Sequence, residues 1–277
     1  MTVTRREIEQ FQRDGAIRLQ SVFDTTWIAA IARGIARNME SPSRFGEFLS
    51  PNGKPPFFFD DYWNWRSISE FSEYVMKSPA AEIAGRLMGS TCAIFYHEHV
   101  LVKEAGAGQE SPWHHDQPYY PVDGDQNLSI WMPLDPIPSK MALRFIRGSH
   151  RWNRWFIPRK FASAHEYAVK TSDEELLARY ESLPETLANP QDCEVLCWPL
   201  SPGDCVVFHG RTLHSAPGNL SATSARRALA TRWLGDDARF AKRPWETSPP
   251  VTGGLQPGDS MACDEFPVVW TAKTQVG

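Results

Sequence analysis

The stretch "TCAIFYHEHVLVK" (Thr91–Lys103) marks the point at which the character of the chain changes. From Thr91 onward, short runs of β-forming residues are bounded by Gly, Pro, Asn and Asp, a pattern typical of strands joined by turns. The predicted strands lie near residues 92–103, 112–118, 127–134, 142–147, 193–198, 204–209 and 225–234. Helices and strands do not alternate along the chain, so a parallel sheet is not indicated. The pattern instead predicts a mainly β fold, a sandwich or jelly roll.

The chain before this β region is predicted to be largely helical, because capping residues precede stretches with helical spacing of apolar side chains. The predicted caps are Thr4 with Glu7 for the first helix, Asp24 or Thr25 for the second and Ser78 for the third. The first helix is expected to end at Gly15 and the third at Gly89. The aromatic segment 51–66 between them is predicted to be a loop, and a short helix is predicted over residues 171–181.

These segments suggest one domain over residues 1–277. It would consist of N-terminal helices (about 4–90), a jelly-roll core (about 91–235) and a Pro/Gly-rich C-terminal extension (236–277). Hydrophobic residues make up 42% of the chain, which is enough for a core of this size.

The net charge of −4 gives no electrostatic reason to expect binding to nucleic acid or to an anionic membrane. The N-terminal segment has no apolar region typical of a signal peptide, and no run of about 18 apolar residues predicts a transmembrane helix. The five cysteines are an odd number without a secretion signal, so we expect reduced thiols and a cytoplasmic protein.

The segment "SPWHHDQPYY" (Ser111–Tyr120) contains a candidate metal site. On a strand, His114 and Asp116 would point to the same face, whereas His115 would point away. A third ligand must come from elsewhere, and "PGDCVVFHGRTLHSAPGN" (Pro202–Asn219) offers His209 and His214. Two histidines and one carboxylate form the facial triad of non-haem Fe(II) oxygenases. Unrelated polar side chains in strands and loops would give the same spacing.

A candidate anion site follows in "SARRALATRWLG" (Ser224–Gly235). On a strand, Arg226, Ala228, Ala230 and Arg232 share one face, and the small alanines leave room for a ligand. A guanidinium group matches a carboxylate in a bidentate pair. Arg227 would lie on the opposite face.

Taken together, these motifs resemble the phytanoyl-CoA dioxygenase family of Fe(II)/2-oxoglutarate-dependent oxygenases. The residues that carry the resemblance are "WHHDQPYY", "SIWMPLDPI", "LRFIRGSHRW", "PGDCVVFHGRTLHSAPGN" and "RRALATRW", in the family's order and over about residues 90–235. The resemblance implies a double-stranded β-helix (a cupin-like jelly roll) and Fe(II), 2-oxoglutarate and O2 as cofactor and cosubstrates. It also implies oxidation of a C–H bond of a small organic substrate, with release of succinate and CO2.

By position, the resemblance assigns His114, Asp116 and His214 as the iron ligands. It assigns Arg226 to the 5-carboxylate of 2-oxoglutarate and places Trp131 and Lys103 beside that cosubstrate. Candidate substrate residues are Tyr119, Tyr120, Trp152 and Arg232.

Two readings compete with an iron oxygenase. A cupin-type hydrolase or isomerase would use the same ligands for zinc or another metal and would leave Arg226 without a cosubstrate. A non-catalytic jelly-roll binding module would show no iron-dependent turnover. A halogenase of the same family would need a small residue in place of Asp116 to free a position for chloride. The family resemblance alone does not imply a CoA thioester as substrate.

Overall fold

The computed structural model describes residues 3–50, 52–161, 163–188 and 190–272. The helices in these ranges are α1 (Arg5–Asp14), α2 (Thr25–Glu40), α3 (Ser69–Lys77), α4 (Ala80–Met88), α5 (Glu174–Leu177) and α6 (Glu185–Ala188). The strands are β1 (Ala16–Leu19), β2 (Glu47–Leu49), β3 (Phe58–Tyr62), β4 (Cys92–Lys103), β5 (Ser111–His114), β6 (Val122–Asp123), β7 (Asn127–Pro133), β8 (Arg144–Ile146), β9 (Val195–Cys197), β10 (Cys205–His209), β11 (His214–Ala216), β12 (Arg226–Leu234), β13 (Arg239–Phe240) and β14 (Val268–Thr271).

Two antiparallel sheets form the β core. The larger sheet has the strand order β1-β10-β7-β12-β4-β3-β2, with β14 paired to β4, and the smaller has the order β5-β11-β8-β9. The short strands β6 and β13 pair with each other. This arrangement confirms the predicted mainly β, jelly-roll fold. None of the helices within the described ranges is long and apolar enough to cross a membrane.

The N-terminal helices cover the outer face of the larger sheet. Alternate residues of its strands point toward them, so that Val100 and Val102 of β4 and Leu229 and Trp233 of β12 pack into the same buried cluster as the apolar faces of α1–α4. The predicted caps form where expected for α1 and α2: Thr4 and Glu7 make a reciprocal capping box, and Asp24 accepts backbone hydrogen bonds at the start of α2.

The opposite face of the larger sheet points toward the smaller sheet. A second buried cluster joins Trp131, Phe208 and Ala230 of the larger sheet with Phe145 of the smaller one. Strand alternation therefore separates two sets of side chains, one under the helices and one inside the jelly roll. The candidate metal ligands and cosubstrate residues lie with the second set, inside the jelly roll.

The prediction for segment 51–66 was wrong in part, because Phe58–Tyr62 forms β3 and pairs with β4. Two adjacent acids are unfavourable in a strand, which hid this element from a propensity argument. Both acids have partners here: Asp61 accepts hydrogen bonds from Asn38 and Ser43, and Asp60 pairs with His99. The helices α3 and α6 and the strands β1, β2, β6, β11, β13 and β14 were also not predicted.

The predicted strand 112–118 is shorter than expected. The strand β5 ends at His114, Asp116 has helical backbone angles (φ −73°, ψ −45°), and residues 117–119 form a 3-10 turn that contains Pro118. The predicted helix over 171–181 is likewise shorter, since only Glu174–Leu177 is helical, after the cap Asp173.

A buried carboxyl group closes the turn after β3. Glu98 of β4 is fully buried and accepts hydrogen bonds from the backbone N–H groups of Asn64 and Trp65. Burial raises the pKa of Glu98 from its ordinary value of 4.5 to about 8, although those two hydrogen bonds oppose the shift.

This shift predicts a pH-dependent loss of stability. The folded carboxyl keeps its proton up to about pH 8, whereas the unfolded one releases it near pH 4.5, so the stabilisation is complete below pH 4.5 and is lost as the pH rises toward 8. Glu98→Gln keeps one of the two acceptor oxygens and cannot ionise. Its free energy of unfolding should fall less between pH 5 and 9 than that of the parent, by on the order of a few kcal/mol. Parallel stability–pH curves for the two proteins would contradict this.

Candidate metal centre and adjoining cavities

The three candidate metal ligands converge from two neighbouring strands of the smaller sheet. His114 is the last residue of β5 and lies directly opposite His214, the first residue of β11. Asp116 follows in the turn after β5, so the chain reversal there, and not strand alternation, brings its carboxylate back toward His114. All three residues are buried, and the candidate ligand atoms lie within 4.8 Å of one another.

Each imidazole is oriented by a backbone carbonyl. The Nδ1 atom of His114 is 2.7 Å from the carbonyl oxygen of Pro112, and the Nδ1 atom of His214 is 2.9 Å from that of Thr212. The Nε2 atoms face Asp116 Oδ1 at 3.5 Å and 3.7 Å, respectively. Carbonyl-bonded Nδ1 atoms and inward Nε2 atoms are the usual arrangement of metal-binding histidines, so the donor set fits a divalent transition metal.

The electrostatics of the group also suit a cation. Burial favours the neutral form of Asp116, but the positive charge of Arg232 and hydrogen bonding by His114 outweigh burial and hold the pKa of that carboxyl well below its usual range. Burial, and then the nearby His114, lower the pKa of His214 to about 3. At neutral pH the site therefore offers a carboxylate and a neutral imidazole, the forms that bind metals.

A cavity beside the three ligands contains the predicted cosubstrate residues. This inner cavity is lined by Arg226, Lys103 and Trp131 as well as by His114, Asp116 and His214. Arg226 and Lys103 are buried and, among the described residues, form no ion pair with an acid. Burial lowers the pKa of Arg226 to about 10, and burial together with Arg226 lowers the pKa of Lys103. Two buried basic groups without an acid form a site that would be completed by an anion.

The neighbouring arginine points the other way. Arg227 forms a bidentate pair with Asp135, from Nε at 3.0 Å and from Nη2 at 2.7 Å, and its side chain is 40% exposed. Arg226 instead donates from Nη1 to the carbonyl oxygen of Met141 at 2.6 Å. The two arginines thus lie on opposite faces of β12, as strand alternation predicts.

A larger cavity of about 570 Å³ opens next to the metal group. This outer cavity is lined by aromatic rings, including those of Tyr119 and Tyr120, two predicted substrate residues. Arg232 also lines it, but its guanidinium group is hydrogen-bonded to Tyr120, to the Ala230 carbonyl and to Asp116. That network does not support the expectation that Arg232 is a free cation for a substrate anion.

Sequence reasoning underestimated one wall of this cavity. Asp60, His97 and His99 all line it, and His99 lines the inner cavity as well. Their spacing of two residues on a strand allows both histidines to face the site. Asp60 lies on β3, a strand that was not predicted.

Trp152 does not line either cavity. It lies at the end of a 3-10 turn and packs against the cluster that contains Trp113, Ile146 and Phe156. Because Trp152 lines neither cavity, the expectation that it contacts the substrate is not supported.

His115 lies outside the ligand group although it sits between two of its members. Its ring packs against Phe156 at 4.8 Å between centroids, and neither ring nitrogen has a hydrogen-bond partner within the described ranges. Removing a group that hydrogen-bonds to a metal ligand usually costs 10- to 100-fold in metal affinity. Because His115 makes no such hydrogen bond within the described residues, we expect His115→Ala to leave the affinity for a divalent metal within about threefold of the parent. Calorimetric titration with Mn(II) measures this. A loss of 10- to 100-fold would show that His115 supports a ligand, and complete loss of metal binding would make it a ligand.

Comparison with known proteins agrees with this geometry. The family model of phytanoyl-CoA dioxygenase (PhyH) matches residues 11–228, which include the three candidate ligands and Arg226. The chain belongs to the PhyH family. The predicted family, and with it the expected Fe(II), 2-oxoglutarate and O2, are therefore confirmed. No curated protein matches the chain.

Solved structures related to this PhyH-family chain share its fold. The carbocyclase SnoK from nogalamycin biosynthesis has 21% identity and a TM-score of 0.73, with 97% of each chain covered. The epimerase SnoN, in complex with Fe3+, α-ketoglutarate and nogalamycin RO, has 21% identity and a TM-score of 0.72 over 96% of this chain and 98% of its own. EctD from S. alaskensis, with 2-oxoglutarate and 5-hydroxyectoine, has 18% identity and a TM-score of 0.66 over 95% and 86%.

Proposed function

We propose that this protein is an Fe(II)/2-oxoglutarate-dependent oxygenase that hydroxylates a C–H bond of a small organic substrate. The observation that carries the proposal is the pairing of a buried His-Asp-His group with a buried cation that has no acidic partner in the described chain. A hydrolase with the same ligands would have no use for Arg226. Asp116 also argues against a halogenase, because the carboxylate takes the place that chloride would need.

In this proposal His114, Asp116 and His214 hold the metal. Bound there, Fe(II) supplies the redox chemistry that couples reduction of O2 to oxidative decarboxylation of 2-oxoglutarate. The stoichiometry is 2-oxoglutarate, O2 and R–H giving succinate, CO2 and R–OH, with one oxygen atom in each of succinate and R–OH.

The other residues of the inner cavity bind and orient the cosubstrate. Arg226 presents a guanidinium group that matches the 5-carboxylate, and Lys103 adds a second positive group on the same side. Lys103 is itself held by the carbonyl oxygens of Gln109 and Pro217, at 2.6 Å and 3.1 Å, and by the ring of Phe58. Trp131 and Phe58 make the walls apolar, which excludes water from the reacting groups.

The outer cavity is the proposed substrate site. Its volume of about 570 Å³ lies within the usual range for small-molecule sites. Asp116 and Arg232 line both cavities, so a substrate here would lie next to the metal and the cosubstrate. SnoK and SnoN carry the names carbocyclase and epimerase, and the EctD structure contains 5-hydroxyectoine. Of the reaction types that these names and this ligand suggest, we propose hydroxylation for this chain.

Labelled oxygen tests this function. With Fe(II), 2-oxoglutarate and 18O2, the parent and Arg227→Ala should form succinate that carries one 18O atom, detected by mass spectrometry. A substrate identified by its stimulation of this reaction should gain one 18O atom. No iron-dependent succinate from the parent would exclude an oxygenase in favour of a hydrolase, an isomerase or a binding module. Labelled succinate with an unlabelled product would exclude hydroxylation but would leave the assignment as a 2-oxoglutarate-dependent oxygenase in place.

A further inference from the structure

The two carboxylate oxygens of Asp116 have different surroundings. Oδ1 faces the Nε2 atoms of His114 and His214. Oδ2 accepts a hydrogen bond from Ser129 Oγ at 2.7 Å and lies 3.5 Å from Nη2 of Arg232. A carboxylate can bind a metal through one oxygen or through both, and its two oxygens are equivalent until the protein distinguishes them. Here the protein does so.

The groups on Oδ2 are themselves fixed. Ser129 of β7 lies opposite Arg232 of β12 in the larger sheet, so both side chains project from the inner face toward Asp116. Arg232 donates from Nε to Tyr120 Oη at 3.0 Å and from Nη1 to the Ala230 carbonyl at 3.2 Å. Ser129 and Arg232 are only 1% and 7% exposed, so water competes little for these hydrogen bonds.

We propose that Ser129 and Arg232 are positioning residues that hold Oδ2 of Asp116, so that Oδ1 alone binds the metal. This inference rests on the proposed function. A facial triad contributes three protein atoms and leaves three positions for the cosubstrate and O2. If Oδ2 also bound the metal, it would occupy one of those positions and compete with 2-oxoglutarate. Ser129 and Arg232 therefore protect the cosubstrate's access to the metal, in addition to orienting a ligand.

Serine variants separate this role from a general effect on folding. Ser129→Ala removes the hydroxyl group that binds Oδ2. Ser215→Ala is the matched control, because Ser215 is equally buried, adjoins His214 and has a hydroxyl group with no partner within the described residues. The nearly isosteric pair Ser129→Thr and Ser129→Val differs only in the hydroxyl group, so it gives the same comparison if Ser129→Ala does not fold.

The measurement is calorimetric titration with Mn(II), followed by titration of the Mn(II)-loaded protein with 2-oxoglutarate without substrate. We expect Ser129→Ala and Ser129→Val to bind Mn(II) but to lose about 10- to 100-fold in affinity for 2-oxoglutarate, a loss of the size that removing a second-sphere partner usually causes in metal affinity or activity. Ser129→Thr and Ser215→Ala should resemble the parent. The electron paramagnetic resonance spectrum of bound Mn(II) should change in the first two variants only.

Three results would overturn the proposal. The first is that Ser129→Ala and Ser129→Val bind 2-oxoglutarate as tightly as the parent. The second is that Ser215→Ala loses as much 2-oxoglutarate affinity as Ser129→Ala. The third is that the Ser129 variants lose Mn(II) affinity while the Mn(II)-loaded variants keep their 2-oxoglutarate affinity. The last result would mean that Ser129 only anchors a ligand. Failure of the parent itself to bind 2-oxoglutarate with Mn(II) is a separate outcome, because it would remove the proposed function on which the inference rests.

Discussion

Asp116→Ala and His214→Ala are expected to abolish iron-dependent formation of succinate from 2-oxoglutarate. Each change removes one of three donors, and Asp116→Ala also removes the negative charge that offsets the buried Arg232, 3.5 Å away. Without that carboxylate the guanidinium group repels the metal cation in a site from which water is largely excluded. Fe(II) binding, measured anaerobically by calorimetry, should fall below detection in both variants, while their circular dichroism spectra stay those of a folded protein.

His209→Ala provides the matched control for His214→Ala. Both histidines are buried and lie on strands that are consecutive in the chain, but His209 Nε2 is 2.7 Å from the carbonyl oxygen of Asp125, and its Nδ1 accepts the N–H of Arg211 at 2.9 Å. We expect His209→Ala to lose stability and to keep its affinity for Fe(II). If His209→Ala loses iron and His214→Ala retains it, the proposed ligand set is wrong.

Arg226→Ala should raise the KM for 2-oxoglutarate by about 30-fold to several thousand-fold, the cost of removing one member of a buried, charge-assisted pair. Arg226 is 5% exposed and has no acid beside it within the described chain, so a bound carboxylate would be its charged partner. Arg226→Lys should recover only part of the affinity, because an ammonium group cannot form the bidentate pair.

Arg227→Ala tests whether this effect is specific. Like Arg226→Ala, it removes one positive charge, one residue further along β12. The Arg227 charge, however, lies on the outer face of the strand and pairs with Asp135. Its KM for 2-oxoglutarate should stay within about twofold of the parent, since a partly exposed ion pair contributes little beyond local stability. A larger effect from Arg227→Ala than from Arg226→Ala would place the wrong face of β12 in the cavity.

Strand alternation succeeded wherever a strand is long and regular. The prediction that Arg226 and Arg227 lie on opposite faces needed only the two-residue period, and β12 keeps its register with β4 from Arg226 to Arg232 before a bulge at Trp233. The strand 92–103 was predicted with the bounds that the structure shows, because β-branched and aromatic residues recur along it and no Gly or Pro interrupts it.

The same argument failed at Asp116. The pairing of His114 with Asp116 was predicted from a strand that in fact ends at His114, and the two side chains meet because the chain turns. Pro118 was the signal in the sequence that the strand ends early. The role of Ser129 had no local signal at all, since it depends on the register that places Ser129 opposite Arg232. Such contacts between distant strands are set by tertiary pairing and are not visible in a local pattern.

Anaerobic absorption spectroscopy tests the central claim most directly, because it detects metal and cosubstrate in one site without a substrate. On addition of 2-oxoglutarate to the Fe(II)-loaded protein, a weak visible metal-to-ligand charge-transfer band should appear and saturate at one equivalent. Arg227→Ala should show the same band, Arg226→Ala should need far more 2-oxoglutarate to reach it, and Asp116→Ala should show none. No band from the Fe(II)-loaded parent at saturating 2-oxoglutarate would contradict the account.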